Sequence, residues 1–398
     1  MLRKIIHLDL DAFFCEVEAL HNPTLQGKAF AVGGRPEHRG VVASCSYPAR
    51  RYGVRSAMPT ARALQLCPDL ILVPGHGAWY REASRRVMDH LHNLTDIVQQ
   101  LSIDEAFVDV SDLRTPARDI AEQLQKRIWD DAHLPCSLGV ATNMLVAKIA
   151  NNVGKASAGG VGPPMAIQVV PPGGEAVFLA PLFVSELWGV GPKTAESLLN
   201  LGIHTIGDLA SWPKQDLVRR FGKHGEDLAR RARGIDERAV TVDHEVKSIS
   251  HETTFAENVT DEVELRRTLS RLSEDVGRRL RRAGLAGGTV KLKLRWSDFT
   301  TLTRQVTLNA PTDRDNDIYD AAQALLMATW SHGKPVRLIG VGASNLTKPV
   351  EQLQLWEDSR EKHRRLQEAL DDLRARFGHD AIQRAFEIEP REPTDPDT

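Results

Sequence analysis

Several protein classes are excluded by what this sequence lacks. Its four cysteines, Cys15, Cys45, Cys67 and Cys136, are scattered and form no Cys-x-x-Cys pair. That argues against a zinc ribbon or a disulfide framework and fits buried thiols in a reducing compartment. Fourteen histidines make no His-Glu-x-x-His pattern. No apolar run reaches the ~20 residues of a membrane span, and Asp9 interrupts the segment where a signal-peptide core would lie. A cytoplasmic monomer with no membrane partner is the expectation. There is no fixed-period repeat.

Net charge is also scarce, −2 over 398 residues. Its distribution is uneven. Residues 266–304 hold eleven Lys or Arg against three Asp or Glu, whereas residues 351–398 hold thirteen acids and eight bases. A polyanion responds to a local basic face, not to the average. The segment Arg266 to Arg282 fits a solvated amphipathic helix equally well. A chain of this length, 41% hydrophobic and 26% charged, is expected to fold as two to four globular domains.

What is present is a pair of acidic clusters. The first is Ile5-Ile6-His7-Leu8-Asp9-Leu10-Asp11-Ala12-Phe13-Phe14, and the second is Leu101-Ser102-Ile103-Asp104-Glu105-Ala106-Phe107-Val108-Asp109-Val110. Each sets carboxylates in or at the end of a short apolar run that reads as a buried strand. A carboxylate there is costly unless a cation neutralises it. Asp9, Asp104 and Glu105 together suit hard cations such as Mg²⁺, which complete their shells with water and phosphates. A single acid of this kind is commonly a cap or a surface group. Spacing alone does not choose between Asp9 and Asp11, because both fall on one strand face.

Strands are expected at 4–10, 28–33, 41–45 and 137–141. Helices are expected at 12–20, capped by Asp11, and at 59–67, 79–94, 120–132 and 143–152. Ile97 to Val110 reads as a hairpin around Asp104-Glu105, and both acids can serve one site only from a turn or bulge. Pro163-Pro164 and Pro171-Pro172-Gly173-Gly174 break the chain before a helical region. Within that region Trp188-Gly189-Val190-Gly191-Pro192-Lys193 resembles a helix-hairpin-helix turn, whose Gly189, Gly191 and Lys193 suit a DNA phosphate. Residues 249–347 alternate strands and helices. There Lys291, Lys293 and Arg295 alternate with leucine, so one strand face can meet phosphates while the other packs.

The two acidic clusters, with Arg39 to Pro59 (which includes Tyr47-Pro48-Ala49-Arg50), Leu138-Gly139-Val140-Ala141 and Ala147-Lys148-Ile149-Ala150, resemble the Y-family DNA polymerases, most closely the bacterial DinB or DNA polymerase IV type. The resemblance covers roughly residues 1 to 347. It implies an α+β multidomain right-hand polymerase. The palm would be 1–12 and 78–165, the fingers 13–77, the helix-hairpin-helix thumb 166–240, a linker 241–248, and an α+β little finger 249–347. A tail would occupy 348–398.

The implied activity is template-directed DNA synthesis of the translesion type without a proofreading exonuclease. Its partners would be primer–template DNA and a deoxynucleoside triphosphate. The resemblance selects Asp9, Asp104 and Glu105 as the catalytic ligands of two Mg²⁺ ions, with Leu10 adding its carbonyl. It places Phe13, Phe14, Tyr47, Arg50 and Lys155 at the triphosphate, and makes Phe14 the gate against a ribose 2′-hydroxyl. Ala43 and Ser44 would floor the nascent base pair. After Lys155 the family's usual Pro-Asn-Gly or Pro-Asp-Gly is replaced by Ala156-Ser157-Ala158-Gly159-Gly160.

Gln352-Leu353-Gln354-Leu355-Trp356 resembles a sliding-clamp-binding peptide, with Gln352, Leu353, Leu355 and Trp356 as its anchors. Behind it, Leu366, Leu370, Leu373 and Phe377 form a helical stripe, and residues 389–398 read as disordered. A nucleotidyl cyclase on a similar fold, a non-catalytic DNA-binding relative and a clamp-associated scaffold are the alternatives.

Overall fold

The structure, a computed structural model, describes residues 2–160, 162–242, 245–349 and 359–378. The chain forms two compact units, Met1–His244 and Glu245–Thr398. In the first, β1 (Ile5–Leu10) leads into α1 (Phe13–His21). Next come β2 (Phe30–Gly33), β3 (Val42–Cys45), α2 (Tyr47–Arg51), α3 (Thr60–Leu66) and β4 (Ile71–Val73). Then follow α4 (Gly77–His92), β5 (Val98–Gln100), β6 (Glu105–Asp109), α5 (Ala117–Ala132), β7 (Cys136–Ala141), α6 (Met144–Ser157) and β8 (Ile167–Val169).

Five of these strands make one sheet, β5-β6-β1-β7-β8, and β3-β2-β4 make a separate one. The remainder of the unit is helical: α7 (Glu175–Leu179), α8 (Pro192–Leu199), α9 (Ile206–Ser211), α10 (Lys214–Phe221) and α11 (Lys223–Arg231).

β1 is central and antiparallel to both neighbours. Its even-numbered residues Ile6, Leu8 and Leu10 pack with Leu91 of α4 and Ile128 of α5. On the opposite face Ile5 packs with Phe107 and with Leu145 and Ile149 of α6. The period of two puts His7, Asp9 and Asp11 on this second face, under α6. Gly139 in β7 sets how closely α6 approaches. A Cβ at that position would lie 1.9 Å from the Ala147 carbonyl oxygen and 2.5 Å from the Asn151 nitrogen.

One expectation is corrected here. Asp11 does not cap α1. Ala12 takes the N-cap position at φ 49°, and no side chain caps the helix. Asp11 turns inward, where it accepts from Ser137 Oγ at 2.8 and 3.0 Å and from the Met165 N–H at 3.1 Å. Several buried partners outweigh the one bond a cap offers. The five-stranded sheet runs past residue 165, because β8 pairs in parallel with β7. The Pro171-Pro172-Gly173-Gly174 breaker follows β8.

The second unit contains β9 (Ser248–Val259), α12 (Glu262–Ala283), β10 (Ala286–Trp296), β11 (Thr301–Thr312), α13 (Asp315–Thr329), β12 (Val336–Thr347) and α14 (Ser359–Phe377). Its sheet runs β11-β10-β12-β9. Val290, Leu292 and Leu294 pack with Leu265, Leu269, Leu272, Val276 and Leu280 of α12 and with Ile318 and Leu326 of α13. Lys291, Lys293 and Arg295 therefore lie on the face that the helices leave open.

Three of the four residues of the apolar stripe expected on α14, Leu366, Leu373 and Phe377, are exposed. Leu366 and Phe377 are 57% and 71% exposed. Polar contacts join α14 to α12. Arg281 donates to Asp371 at 2.8 and 3.1 Å and to Gln367 at 2.8 Å, and Arg374 pairs with Glu274 at 2.8 Å. These buried charges neutralise one another, so they set which side of the helix faces in.

If the close approach at Gly139 positions α6, Gly139→Ala must push the helix off the sheet. The expected result is a loss of about 3 kcal/mol in urea unfolding, at the upper end of overpacking penalties. A wild-type midpoint would show that the contact is slack.

Candidate active site

The acid-bearing face of β1 is met by one face of α6. Lys148, Asn151 and Lys155 are spaced i, i+3 and i+7, which aligns them on one side of the helix. Lys155 Nζ lies 2.5 Å from Asp9 Oδ1 and 2.9 Å from Asp11 Oδ1. Burial pulls its ammonium pKa down, but the two carboxylates outweigh that and hold it above the usual lysine value. Burial pushes the Asp9 carboxyl up, and Lys155 pulls against it. Lys155 belongs to the last turn of α6, which continues through the atypical Ala156 and Ser157 to Ala158 at the C-cap.

Glu105 is directly opposite Asp9 in the sheet. Its Oε1 accepts from both His7 Nε2 and Lys148 Nζ. Burial works to raise Glu105, but these two partners bring its pKa down to about 2. His7 is fully buried, and burial keeps its pKa below the ordinary value. Asn151 Nδ2 donates to His7 Nδ1 at 2.9 Å, and it also lies 3.2 Å from the His7 carbonyl and 2.9 Å from the Ser137 carbonyl. Acceptance at Nδ1 leaves the proton on Nε2, directed at Glu105.

Asp104 sits in the bend before β6, where its carbonyl accepts from the Leu10 N–H at 3.0 Å. That main-chain bond brings the second acidic cluster to the end of the first. Ser102 Oγ donates to Asp104 Oδ1 at 2.5 Å. Asp9 Oδ2, Asp104 Oδ2 and Glu105 Oε2 accept no hydrogen bond among the described residues. Each carboxylate thus keeps one oxygen available to a hard cation. As they stand, no three His, Cys, Asp or Glu side chains among the described residues converge closely enough to hold a metal alone. The set fits an ion that takes part of its shell from a substrate.

A cavity of about 230 Å³ opens beside these acids. Asp9, Leu10, Asp104, Phe13, Phe14, Tyr47, Arg50 and Lys155 all line it, together with Ala43 and Ser44. Glu105 does not; it is engaged under α6. Tyr47 and Arg50 arrive on α2, which begins at N-cap Ser46 with Pro48 in its first turn. The Arg50 guanidinium lies 4.5 Å from the Tyr47 ring centroid, and its Nε donates to the Cys45 carbonyl at 3.2 Å. The first turn of α1 also borders the cavity, with N–H groups that helix geometry leaves free. The Phe14 ring stacks on Tyr80, with centroids 4.3 Å apart and planes 19° apart.

Gly189 adopts φ +100° in the turn before α8, a conformation that favours glycine. Gly191 is the N-cap of α8, and Lys193 is exposed on its first turn. Before this turn there is only a one-turn 3₁₀ segment, Val184–Glu186. In the second unit, Lys293 pairs with Glu252 at 2.7 Å and Arg295 Nε donates to Thr301 Oγ1 at 2.9 Å. The peptide Gln352–Trp356 and residues 389–398 lie outside the described residues.

Sequence reasoning missed His7, Lys148 and Asn151, which engage the acids, and Tyr80, which stacks on Phe14. Two signals could have found some of them: the period of two joining His7 to Asp9, and the helical spacing joining Lys148 and Asn151 to Lys155. Tyr80 carries no such signal, because it reaches Phe14 only through the packing of α4 on α1.

Comparison with known proteins agrees with this geometry. The impB/mucB/samB family model matches residues 8–152, its C-terminal domain model residues 246–355, and a DNA polymerase-iota thumb domain model residues 185–236. DNA polymerase IV of Desulfatibacillum aliphaticivorans is 41% identical over 388 residues, 96% of each chain. DNA polymerase IV of Listeria innocua is 42% identical over 351 residues, 87% of this chain and 96% of that one. Among solved structures, a Y-family DNA polymerase chimera, Dbh-Dpo4(243-245)-Dbh, matches with a TM-score of 0.75 and 25% identity over 87% of this chain and all of its own. With one family model on the acid-bearing sheet, its companion on the open basic sheet and relatives matched along nearly their whole length, the chain belongs to the impB/mucB/samB family of Y-family DNA polymerases.

Proposed function

We propose that the cavity beside Asp9 and Asp104 adds deoxynucleotides to a primer 3′ end, directed by a template strand. The chain is a DNA-directed DNA polymerase of the translesion type, acting on primer–template DNA and deoxynucleoside triphosphates with a divalent metal. The observation that supports this site is the convergence of both acidic clusters with Phe14, Tyr47, Arg50 and Lys155 on one cavity.

In the step, the primer 3′-hydroxyl gives its proton to solvent water and its oxygen bonds to the α-phosphorus, while the bond to the bridging oxygen breaks and pyrophosphate leaves. Two Mg²⁺ ions, when bound, would lower the pKa of the hydroxyl and neutralise the leaving phosphates. Asp9 and Asp104 would hold both, Leu10 would add its carbonyl, and Glu105 would complete the shell nearer the hydroxyl through Oε2. His7 and Lys148 hold Glu105 ionised and in place. Tyr47, Arg50 and Lys155 would bind the triphosphate, Arg50 as a fork and Lys155 as a point charge. The N–H groups at the start of α1 would add uncharged donors. Phe13 and Phe14 would seat the sugar, with the Phe14 ring in the space a 2′-hydroxyl needs. Ala43 and Ser44, being small, would leave room for a damaged template base.

Two surfaces would grip DNA: the Gly189-Val190-Gly191 turn with Lys193, and the open face carrying Lys291, Lys293 and Arg295. The peptide Gln352, Leu353, Leu355 and Trp356 would bind a sliding clamp, and the enzyme would work as a monomer.

Asp104→Ala should reduce nucleotide addition on the order of 10³-fold or more, as expected when a metal ligand that stabilises the transition state is removed. DNA affinity by fluorescence anisotropy should survive, and near-normal primer extension would remove Asp104 from the chemistry. Phe14→Ala should admit ribonucleotides, with dNTP addition falling less than discrimination. Unchanged discrimination would reduce Phe14 to core packing. Alanine at Lys291, Lys293 and Arg295 together should weaken binding to all DNA sequences alike. The log–log salt dependence should flatten by about 0.9 for each phosphate that is no longer neutralised. An unaltered slope would place this strand away from DNA.

A further inference from the structure

Behind the proposed sugar gate is a buried carboxylate that the chemistry does not use. Glu18 is 2% exposed, in the interior of α1. Its Oε1 accepts from the Tyr80 hydroxyl, and His76 Nδ1 lies 2.8 Å from Oε1 and 3.1 Å from Oε2. Neither a lysine nor an arginine pairs with it among the described residues. A carboxylate buried this deeply is costly, and an apolar side chain would pack there at lower cost. Its arrangement suggests a positional role.

Phe14 and Glu18 are four residues apart on α1 and so share one helix face. Tyr80, from α4, lies across that face. Its ring stacks on Phe14 at 4.3 Å, and its hydroxyl is held by Glu18. Tyr80 is 5% exposed and does not line the cavity, so it stands behind the gate. His76, the N-cap of α4, lies within reach of both oxygens of the same carboxylate. Tyr80 thus backs the Phe14 ring, and the Glu18 carboxylate holds Tyr80 by its hydroxyl.

We infer that Glu18, oriented by His76, is a positioning residue for sugar discrimination: it anchors Tyr80 through its hydroxyl and thereby stops Phe14 from yielding to a ribonucleotide. The inference rests on the reading of Phe14 as the gate.

The test is single-nucleotide insertion by the full chain opposite a template guanine, with kcat/KM measured for dCTP and for CTP. Tyr80→Phe removes one oxygen and keeps the stacked ring, so it carries the decision. It should lower the dCTP/CTP ratio by about tenfold, the equivalent of one missing buried hydrogen bond, with dCTP insertion falling less than the ratio. Glu18→Ala should match it where the variant folds. Glu18→Gln keeps an acceptor oxygen for the Tyr80 hydroxyl and should stay within about threefold of wild type.

A wild-type ratio in Tyr80→Phe overturns the inference, and so does a loss in Glu18→Gln equal to that in Glu18→Ala. Phe14→Ala in the same assay separates the two readings. An unchanged ratio there means that the gate itself is misassigned. A collapsed ratio there, with Tyr80→Phe unchanged, keeps the gate and removes the anchor.

Discussion

Buried negative charge on β1 is the constraint around which the first unit is arranged. Asp9 in the central strand and Asp11 in the turn just after it point into the layer beneath α6, and Glu105 stands across from Asp9. An isolated carboxylate there would cost several kcal/mol. α6 offsets that with Lys148 and Lys155, one helical stripe that reaches three acids. The match works only if helix and sheet are close, and Gly139 is what permits the approach. Asn151 sits between the two lysines on the same stripe and fixes the tautomer of His7, so that even a neutral side chain delivers a proton toward Glu105. Charge neutralisation, packing distance and site geometry are here one requirement.

The same logic recurs in the second unit with the signs exchanged. Arg281 is the buried cation, and Asp315, Asp371 and the Asp313 carbonyl gather around it. Asp315, pushed up to about 6 by burial against the opposing pull of Arg281, shows how strongly that region resists charge. α14 is fastened by this cluster and by Arg374–Glu274. The open face of the sheet is left to residues that face water without penalty, among them Lys291, Lys293 and Arg295.

Two acidic clusters in apolar runs were legible as local patterns, whereas the choice of Asp9 over Asp11 and the assignment of Phe14, Tyr47, Arg50 and Lys155 came from the family resemblance. Asp9, Asp104, Phe14, Tyr47, Arg50 and Lys155 all line one cavity. Glu105 was legible as an acid of the site, but its engagement by His7 and Lys148 was not, since those partners come from elements 98 and 43 residues away. The capping role expected for Asp11 failed for a related reason. A polar residue before a helix is a sound local signal, but Ser137, Met165 and Lys155 compete for it from other parts of the chain.

Strand periodicity, turn residues and the alternation of Lys and Leu in β10 were properties of the sequence, because each depends on neighbours within a few residues. Those patterns determined which face of β1 carries acids and which face of β10 carries bases. The tertiary structure decided what touches those faces. Only the packing of α6 on β7 brings ammonium groups to the acids, and only the packing of α4 on α1 places Tyr80 against Phe14 and Glu18. Contacts of that kind depend on distances set by backbones far apart in the chain, and no periodicity within a single element encodes them.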